Sequence, residues 1–376
     1  MTRVLLAPDK FKGTLTAEQV AAHVATGLSS VLPGIEVLVV PVADGGDGTL
    51  AAAVSAGFSQ VGLSATGPTG EPVATAFGMR GTEAVVELAE VSGLTQLPGG
   101  RLAALTATSR GTGELIAAAL DAGARRIIVG IGGSACTDGG AGLLEALGAR
   151  IVTASGTSLA PGGSGLADVV GLDLSCLHPA LAQADIVVAC DVDNPLTGPR
   201  GAAAVYGPQK GASPEDVTTL DAALAHFAGV VATTTGTDHR DDAGAGAAGG
   251  VGFALVSVAG ARIRPGAELV FDLIGLADAM AHVDLVVTGE GSLDEQTLNG
   301  KAPAAVAALG RRLGVRVVAV AGRVLLSPEQ AGAAGITATY ALLDVAASAE
   351  EAMTAPGPLL EKLGARMAVD HLGGAL

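Results

Sequence analysis

Five short apolar, β-branched runs break off in bursts of glycine with Asp, Glu or Lys: VLLAPDKFKG from Val4, VLVVPVADGGDGT from Val37, IIVGIGGSACTDGG from Ile127, IVVACDVDNPLTG from Ile186 and LVVTGEGSLDE from Leu285. Runs of this length and composition read as buried strands. In α/β proteins ligands bind beyond the carboxyl ends of parallel strands, and glycine lets a ligand approach the backbone. Polar bursts that always follow the strand therefore point to an enzyme with one shared polar cleft.

Between the runs, apolar residues recur at helical spacing. The chain begins strand 4–7, helix 16–32 opened by a Thr-Ala-Glu cap region, strand 36–42, helix 48–56. It ends in the same rhythm: helix 267–282, strand 284–288, helix 302–313, strand 316–321, helix 328–335, strand 336–342 and a last helix from Ser348. Such alternation predicts a parallel sheet with helices on both faces. The middle differs. Runs 61–66, 73–78 and 84–88, separated by the turn signals GPTGEP and RGT, predict an antiparallel meander. After it come helix 113–123, a strand to Ile131, helix 139–147, a Gly/Ser/Pro-rich loop 155–165, strand 185–189 and helix 214–231. The expected architecture is a discontinuous α/β domain of residues 1–62 and 265–376, interrupted by a mixed α/β domain of residues 63–264, with the active-site cleft between them.

Composition narrows the partners. The 376 residues suffice for two domains. A net charge of -16, from 21 Lys+Arg against 37 Asp+Glu, repels a nucleic-acid backbone, and aromatics at 2% are too few to stack on bases. A small anionic substrate stays compatible, because a cleft can be locally basic. Cys136, Cys176 and Cys190 show no paired spacing, which fits a reducing cytoplasm, and packing is a better reading of them than reactive thiols. The six histidines form no H-E-x-x-H pair. No signal-like segment opens the chain, and the one uncharged stretch of span length, 243–261, is too rich in Gly and Ala to favour a membrane.

The bursts carry the candidate chemistry. Lys10 and Lys12, just past the first strand and ahead of a helix start, can meet a phosphate or carboxylate. Asp44 and Asp47 flank two glycines; either can hold Mg2+ or take a proton, although Asp47 also suits a helix N-cap. In IGGSACTDGG the glycines can turn amides toward an anion, beside Ser134, Thr137 and Asp138. After the fourth run, Asp191 and Asp193 precede Asn194, Arg200, Gln209 and Lys210, a dense mixture of acid, amide and base. The last burst offers Glu290 and Asp294, then Thr297, Asn299 and Lys301. Three literal motif matches fail on context. The glycines at 244, 246 and 249 follow a polar loop rather than a strand, Lys301 lacks the P-loop glycine and hydroxyl, and His239-Arg240-Asp241 has no D-F-G partner.

Taken in order, APDKFKGTLTA, VADGGDGT, IGGSACTDGGAG, CDVDNPLTGPRGAAAVYGPQKGA, GAGAAGGVGFAL and TGEGSLDEQTLNGKAP resemble the bacterial glycerate kinase type 1 family over nearly the whole chain. Two positions depart: Thr137 stands where the family often shows Asn, and Ser292 where it often shows Arg. The resemblance implies a two-domain α/β fold with one flavodoxin-like domain. It implies ATP-dependent, Mg2+-dependent phosphorylation of D-glycerate, with 2-phosphoglycerate the favoured product, in glyoxylate or sugar-acid breakdown. The alternatives are a kinase for another small hydroxy acid and, less favoured, a catalytically inactive small-anion sensor. The parts match what phosphoryl transfer asks for: positioning, charge neutralisation and an in-line hydroxyl. Expected catalytic residues are Asp191 as general base, with Asp44 next in line, and Lys12 as the neutralising cation. Glu290, Asp294 and Asp47 are expected to hold the metal. Lys10, Ser134, Asp138, Asn194, Arg200, Lys210 and Lys301 are expected to contact substrate or phosphate. The expected partners are glycerate and a nucleotide, with no nucleic acid and no membrane, and oligomeric state is left open.

Overall fold

The structure, a computed structural model, describes residues 2–43, 45–299 and 301–373. In chain order its strands are β1 (Arg3–Pro8), β2 (Glu36–Val39), β3 (Ser59–Thr66), β4 (Pro72–Arg80), β5 (Glu83–Glu87) and β6 (Arg126–Gly130). There follow β7 (Arg150–Thr153), β8 (Val169–Asp173), β9 (Asp185–Ala189), β10 (Arg262–Arg264), β11 (Leu285–Leu293), β12 (Val317–Val324) and β13 (Ala338–Ala341). They divide between two compact units, Met1–Asp44 with Ala267–Leu376, and Gly45–Gly266.

The first unit holds a parallel sheet in the order β13-β12-β11-β1-β2. Numbered within the unit this is 2-1-3-4-5, the flavodoxin-like order, whose switch point falls between β1 and β11. Both faces are covered, which is why these strands are apolar at nearly every position. Val4 and Leu6 enter one core with the helices Ala17–Val31 and Pro356–Leu372. Leu5 and Ala7 enter the other, with Phe271, Val306 and Ala307 of the helices Gly266–Ile274 and Ala302–Leu313. Thr16 caps the first helix in a capping box closed by Gln19. Two expected helices are each interrupted. Gly275, at φ 65°, separates Gly266–Ile274 from Leu276–Met280, and Pro356, which has no N–H to continue a helix, separates Ala349–Thr354 from Pro356–Leu372.

The second unit is built on a sheet in the order β10-β9-β6-β5-β4-β3. β10, β9, β6 and β5 run parallel, and the expected meander supplies the antiparallel pairs β5-β4 and β4-β3. A separate antiparallel pair, β7-β8, flanks the expected Gly/Ser/Pro-rich loop 155–165, in stretches where no strand is expected. The unit begins at Gly45 rather than near residue 63. The reason is packing: the helix Thr49–Ser55 buries Leu50, whose side chain lies against Gly78 of β4. Among the described residues one helix, Pro214–Thr235, is long and apolar enough to cross a membrane. Its Leu220, Leu224, Phe227 and Val231 are instead buried in this unit's core, and the expected candidate 243–261 contains the shorter helix Val251–Ala259.

Candidate active site

At the switch point of the first sheet, β11 outruns β1. Pro8 pairs with Gly289, after which β11 continues along β12 to Leu293. The chain leaving β1 folds over that extension: the Asp9 amide donates to Gly289 O at 2.8 Å, and the Phe11–Lys12 backbone lies beside Gly291, where an added Cβ would be in ordinary van der Waals contact, 3.6 Å from the Lys12 nitrogen. Topology thus brings the first and fifth bursts side by side. Phe11 anchors a tight turn to Leu15, with Gly13 at φ 83°. Lys12 stands exposed on that turn, and Lys10 is half-buried behind it, its own amide held by Asp9 Oδ1 at 2.7 Å.

Glu290 is buried, at 8% exposure. Thr297 Oγ1 donates to Glu290 Oε1, and Lys301 Nζ stands 3.5 Å from Oε2. Burial pushes this carboxyl above its usual range, while Thr297 and Lys301 pull it back. Lys301, expected on phosphate, therefore serves as the partner of Glu290. Asp294 organises the turn after β11: it accepts from the Gln296 amide at 3.0 Å and the Ser292 hydroxyl at 3.3 Å. Ser292 in turn accepts from Arg323 Nε at 3.0 Å, so an arginine of β12 reaches the position where the resemblance expects one.

In the second unit, bursts two, three and four meet beyond β5, β6 and β9. Their glycines are stacked backbone on backbone. A Cβ on Gly132 would lie 2.5 Å from Gly46 Cα, one on Gly130 2.7 Å from Gly45 O, and one on Gly45 2.9 Å from Ala189 Cβ. Asp47 is half-buried beside Gly133; contrary to the N-cap reading, the N-cap of the helix Thr49–Ser55 is Gly48, φ 99°, which offers no side-chain cap. Asp44 lies outside the described residues.

Most of the expected contact residues here turn inward. Asp138 is 1% exposed; its Oδ2 accepts from the Ser109 amide (2.8 Å) and hydroxyl (2.9 Å), Thr108 Oγ1 and the Gly142 amide, and its Oδ1 from the Gly140 amide. Lys210, equally buried, donates from Nζ to Ser134 Oγ at 2.9 Å and to Cys136 O. Burial lowers its pKa, opposed by Cys136 and Asp138. Ser134 is itself buried as the acceptor. Asn194 ties its loop to itself, donating to Arg200 O at 2.8 Å and accepting from Tyr206 OH at 2.6 Å. Arg200 makes an exposed pair with Asp193 at 2.8 Å. Such residues hold the loops, whereas Asp191 is exposed, its direction set by the Gly266 amide donating to Oδ1 at 2.8 Å. Burial pushes the Cys136 thiol up to about 12 and Cys190 up to about 11, so neither is a thiolate near neutrality.

One residue escapes the sequence reading. Glu87, the last residue of β5, is 2% exposed and accepts from the Gly48 amide at 2.9 Å and the Leu50 amide at 2.8 Å. Burial pushes its carboxyl up to about 7 despite both amides. The available signal is an acid embedded in the apolar run AVVELA, at a strand end that must be covered. Among the described residues, no cluster of three or more His, Cys, Asp and Glu side chains is placed to hold a metal.

Comparison with known proteins adds to this geometry. The model of the Glycerate kinase family matches residues 4–371. The chain is 42% identical to a glycerate kinase of Bacillus subtilis (strain 168) over 363 residues, 96% of this chain and 95% of the relative. It is 40% identical to the glycerate 2-kinase of Escherichia coli (strain K12) over 353 residues, 93% of each. A crystal structure of a protein from Salmonella typhimurium LT2 assigned as glycerate kinase 2 superimposes with a TM-score of 0.85 at 41% identity, covering 99% of this chain and 98% of that one.

Proposed function

The chain belongs to the glycerate kinase family and is an enzyme of that kind, and from this premise we propose that it transfers the γ-phosphoryl group of Mg2+-ATP to D-glycerate. The product is 2-phosphoglycerate, the setting the cytoplasm, and the route glyoxylate or sugar-acid breakdown. The observation that carries the reading is the switch point, where Lys10 and Lys12 follow β1 and the Glu290–Lys301 pair ends the neighbouring β11. Cations and a carboxylate at a parallel-sheet switch point are what an anionic, phosphate-bearing ligand needs.

The roles follow from exposure. Lys12 neutralises transferred phosphate or the glycerate carboxylate, with Lys10 beside it. Asp191, fixed by Gly266 and exposed, takes the proton of the attacking hydroxyl; Asp44 is the next candidate. Mg2+ is usually held by one or two carboxylates together with substrate phosphates. Glu290 and Asp294 offer hard oxygen donors four positions apart at one strand end, and although each carboxylate already accepts protein hydrogen bonds, that donor set fits a cation carried by the nucleotide and held directly or through water. Asp47 is the further candidate. The ion would neutralise phosphate charge. Ser134, Asp138, Asn194 and Lys210 then act by holding the loops, while Arg200 pairs with Asp193 and Lys301 with Glu290.

Purified protein given ATP, Mg2+ and D-glycerate is expected to release ADP only with the acid present, and NMR of the product to place the phosphate on carbon 2. Turnover with another hydroxy acid and none with glycerate would refute the substrate.

A further inference from the structure

Several helices among the described residues take a side-chain cap from their own N-cap residue, as at Thr16, Ser213, Ser327 and Ser348. The helix Thr49–Ser55 does not: Gly48 opens it in the left-handed conformation, and the acceptor comes from β5, as Glu87. The charged groups facing Glu87 are Glu90, on the short helix Ala89–Ser92, and Asp47, both acidic. Among the described residues no cation pairs with it. A buried carboxyl among acids is a poor way to stabilise a fold, since an apolar residue of similar volume costs nothing in desolvation. What it does achieve is register. Glu87 lies opposite Gly130 on β6, so a carboxylate fixed to β5 ties the Gly46–Gly48 turn to the strand end from which the Gly132–Gly133 turn departs. With Gly132 in backbone contact with Gly46, and Asp47 beside Gly133, the two turns are clamped from both sides.

We propose that Glu87 is a positioning residue for phosphoryl transfer, acting through the Gly48 and Leu50 amides to set where Asp47 stands against the Gly132–Gly133 turn. The proposal rests on the reading that the Asp47 loop serves the reaction. A misplacement of about 1 Å at a reacting centre can cost on the order of a hundredfold, so the effect should fall on turnover rather than on binding.

The test compares Glu87→Gln, which leaves one amide facing an NH2 group, with Gly132→Ala, whose Cβ pushes the Gly46 turn from the other side. Each is expected to lower kcat about tenfold or more, with KM for ATP and glycerate changed by less than about threefold. Hydrogen exchange at Gly48 and Leu50 should accelerate in Glu87→Gln. Because both changes displace one turn, the double variant should lose less than the product of the single losses. A folded Glu87→Gln with wild-type kcat, or strictly multiplicative losses, would overturn the proposal. Should Glu87→Gln not fold, wild-type kcat in Gly132→Ala does so. Wild-type turnover on a different hydroxy acid would redirect the substrate reading and leave this comparison between variants standing.

Discussion

Lys12 and Lys210 both stand in glycine-bearing bursts of this chain, yet the two units use them in opposite ways. Beyond the carboxyl ends of the five-stranded sheet Lys12 is exposed, Lys10 is half-buried, and Lys301, paired with Glu290, keeps a side chain 34% exposed. At the edge of the six-stranded sheet Lys210 and Asp138 are each 1% exposed and spend their polar atoms on the protein's own loops. The difference is one of backbone. The second unit stacks glycine turns against one another, which buries amides and carbonyls that must find partners, so its charged side chains are drawn inward to supply them. The first unit turns the chain with the short Phe11–Leu15 bridge, on which Lys12 stands exposed. Similar bursts thus separate into charge buried among the protein's own loops and charge left exposed beyond a strand end.

The sharpest way to break this contrast is Asp138→Ala. It strands the amides of Ser109, Gly140 and Gly142 in a buried site and should cost on the order of 4 kcal/mol in denaturant unfolding. A loss below about 1 kcal/mol would show that the second unit's charges are not structural.

Glu87 gives the next effect, on pH dependence. Its folded carboxyl holds a proton up to about pH 7, the unfolded one only to about 4.5. Its stabilising contribution is therefore complete below the lower value and lost as pH rises through the upper one, about 3 kcal/mol in all. Unfolding free energies from pH 4 to 8 should show this decline in the wild type and not in Glu87→Gln; parallel curves would refute it.

Asp191 tests the contrast from inside the second unit, being exposed where Asp138 and Lys210 are buried. Asp191→Asn should lower turnover on the order of a hundredfold while the melting temperature changes little. Near-normal turnover in a folded variant would pass the role of base to Asp44.

Lys12→Ala probes the first unit, with an expected loss of about tenfold in kcat/KM, or about 1.4 kcal/mol, and unchanged stability. If activity survives, Lys12 is ordinary surface charge. The smallest change expected is in Glu290→Gln and Asp294→Asn, which should raise the Mg2+ concentration for half-maximal rate severalfold. Unaltered Mg2+ dependence in both would move the ion to Asp44 and Asp47.

Strand identity was legible in the chain because a parallel sheet covered on both faces demands continuous apolar runs, and the bursts marked the carboxyl ends. The run 185–189 is β9 as observed, and helix 302–313 likewise. Local stereochemistry also governed the caps at Thr16 and Ser327. Which bursts became neighbours was not legible, since strand order joins residues such as Ala7 and Thr288 that are far apart along the chain. Nor was the fate of each charge. Asp138, Asn194 and Lys210 look in sequence like groups awaiting a ligand, and only the packed backbone around them, with unpaired amides and carbonyls in reach, decided that they face inward. Glu87 is the same case reversed: an acid in a strand pattern says nothing of function until the fold lays the Gly48 turn across it. Sequence sets what a residue can donate or accept, whereas tertiary contact sets which partner is close enough, and dry enough, for that capacity to be used.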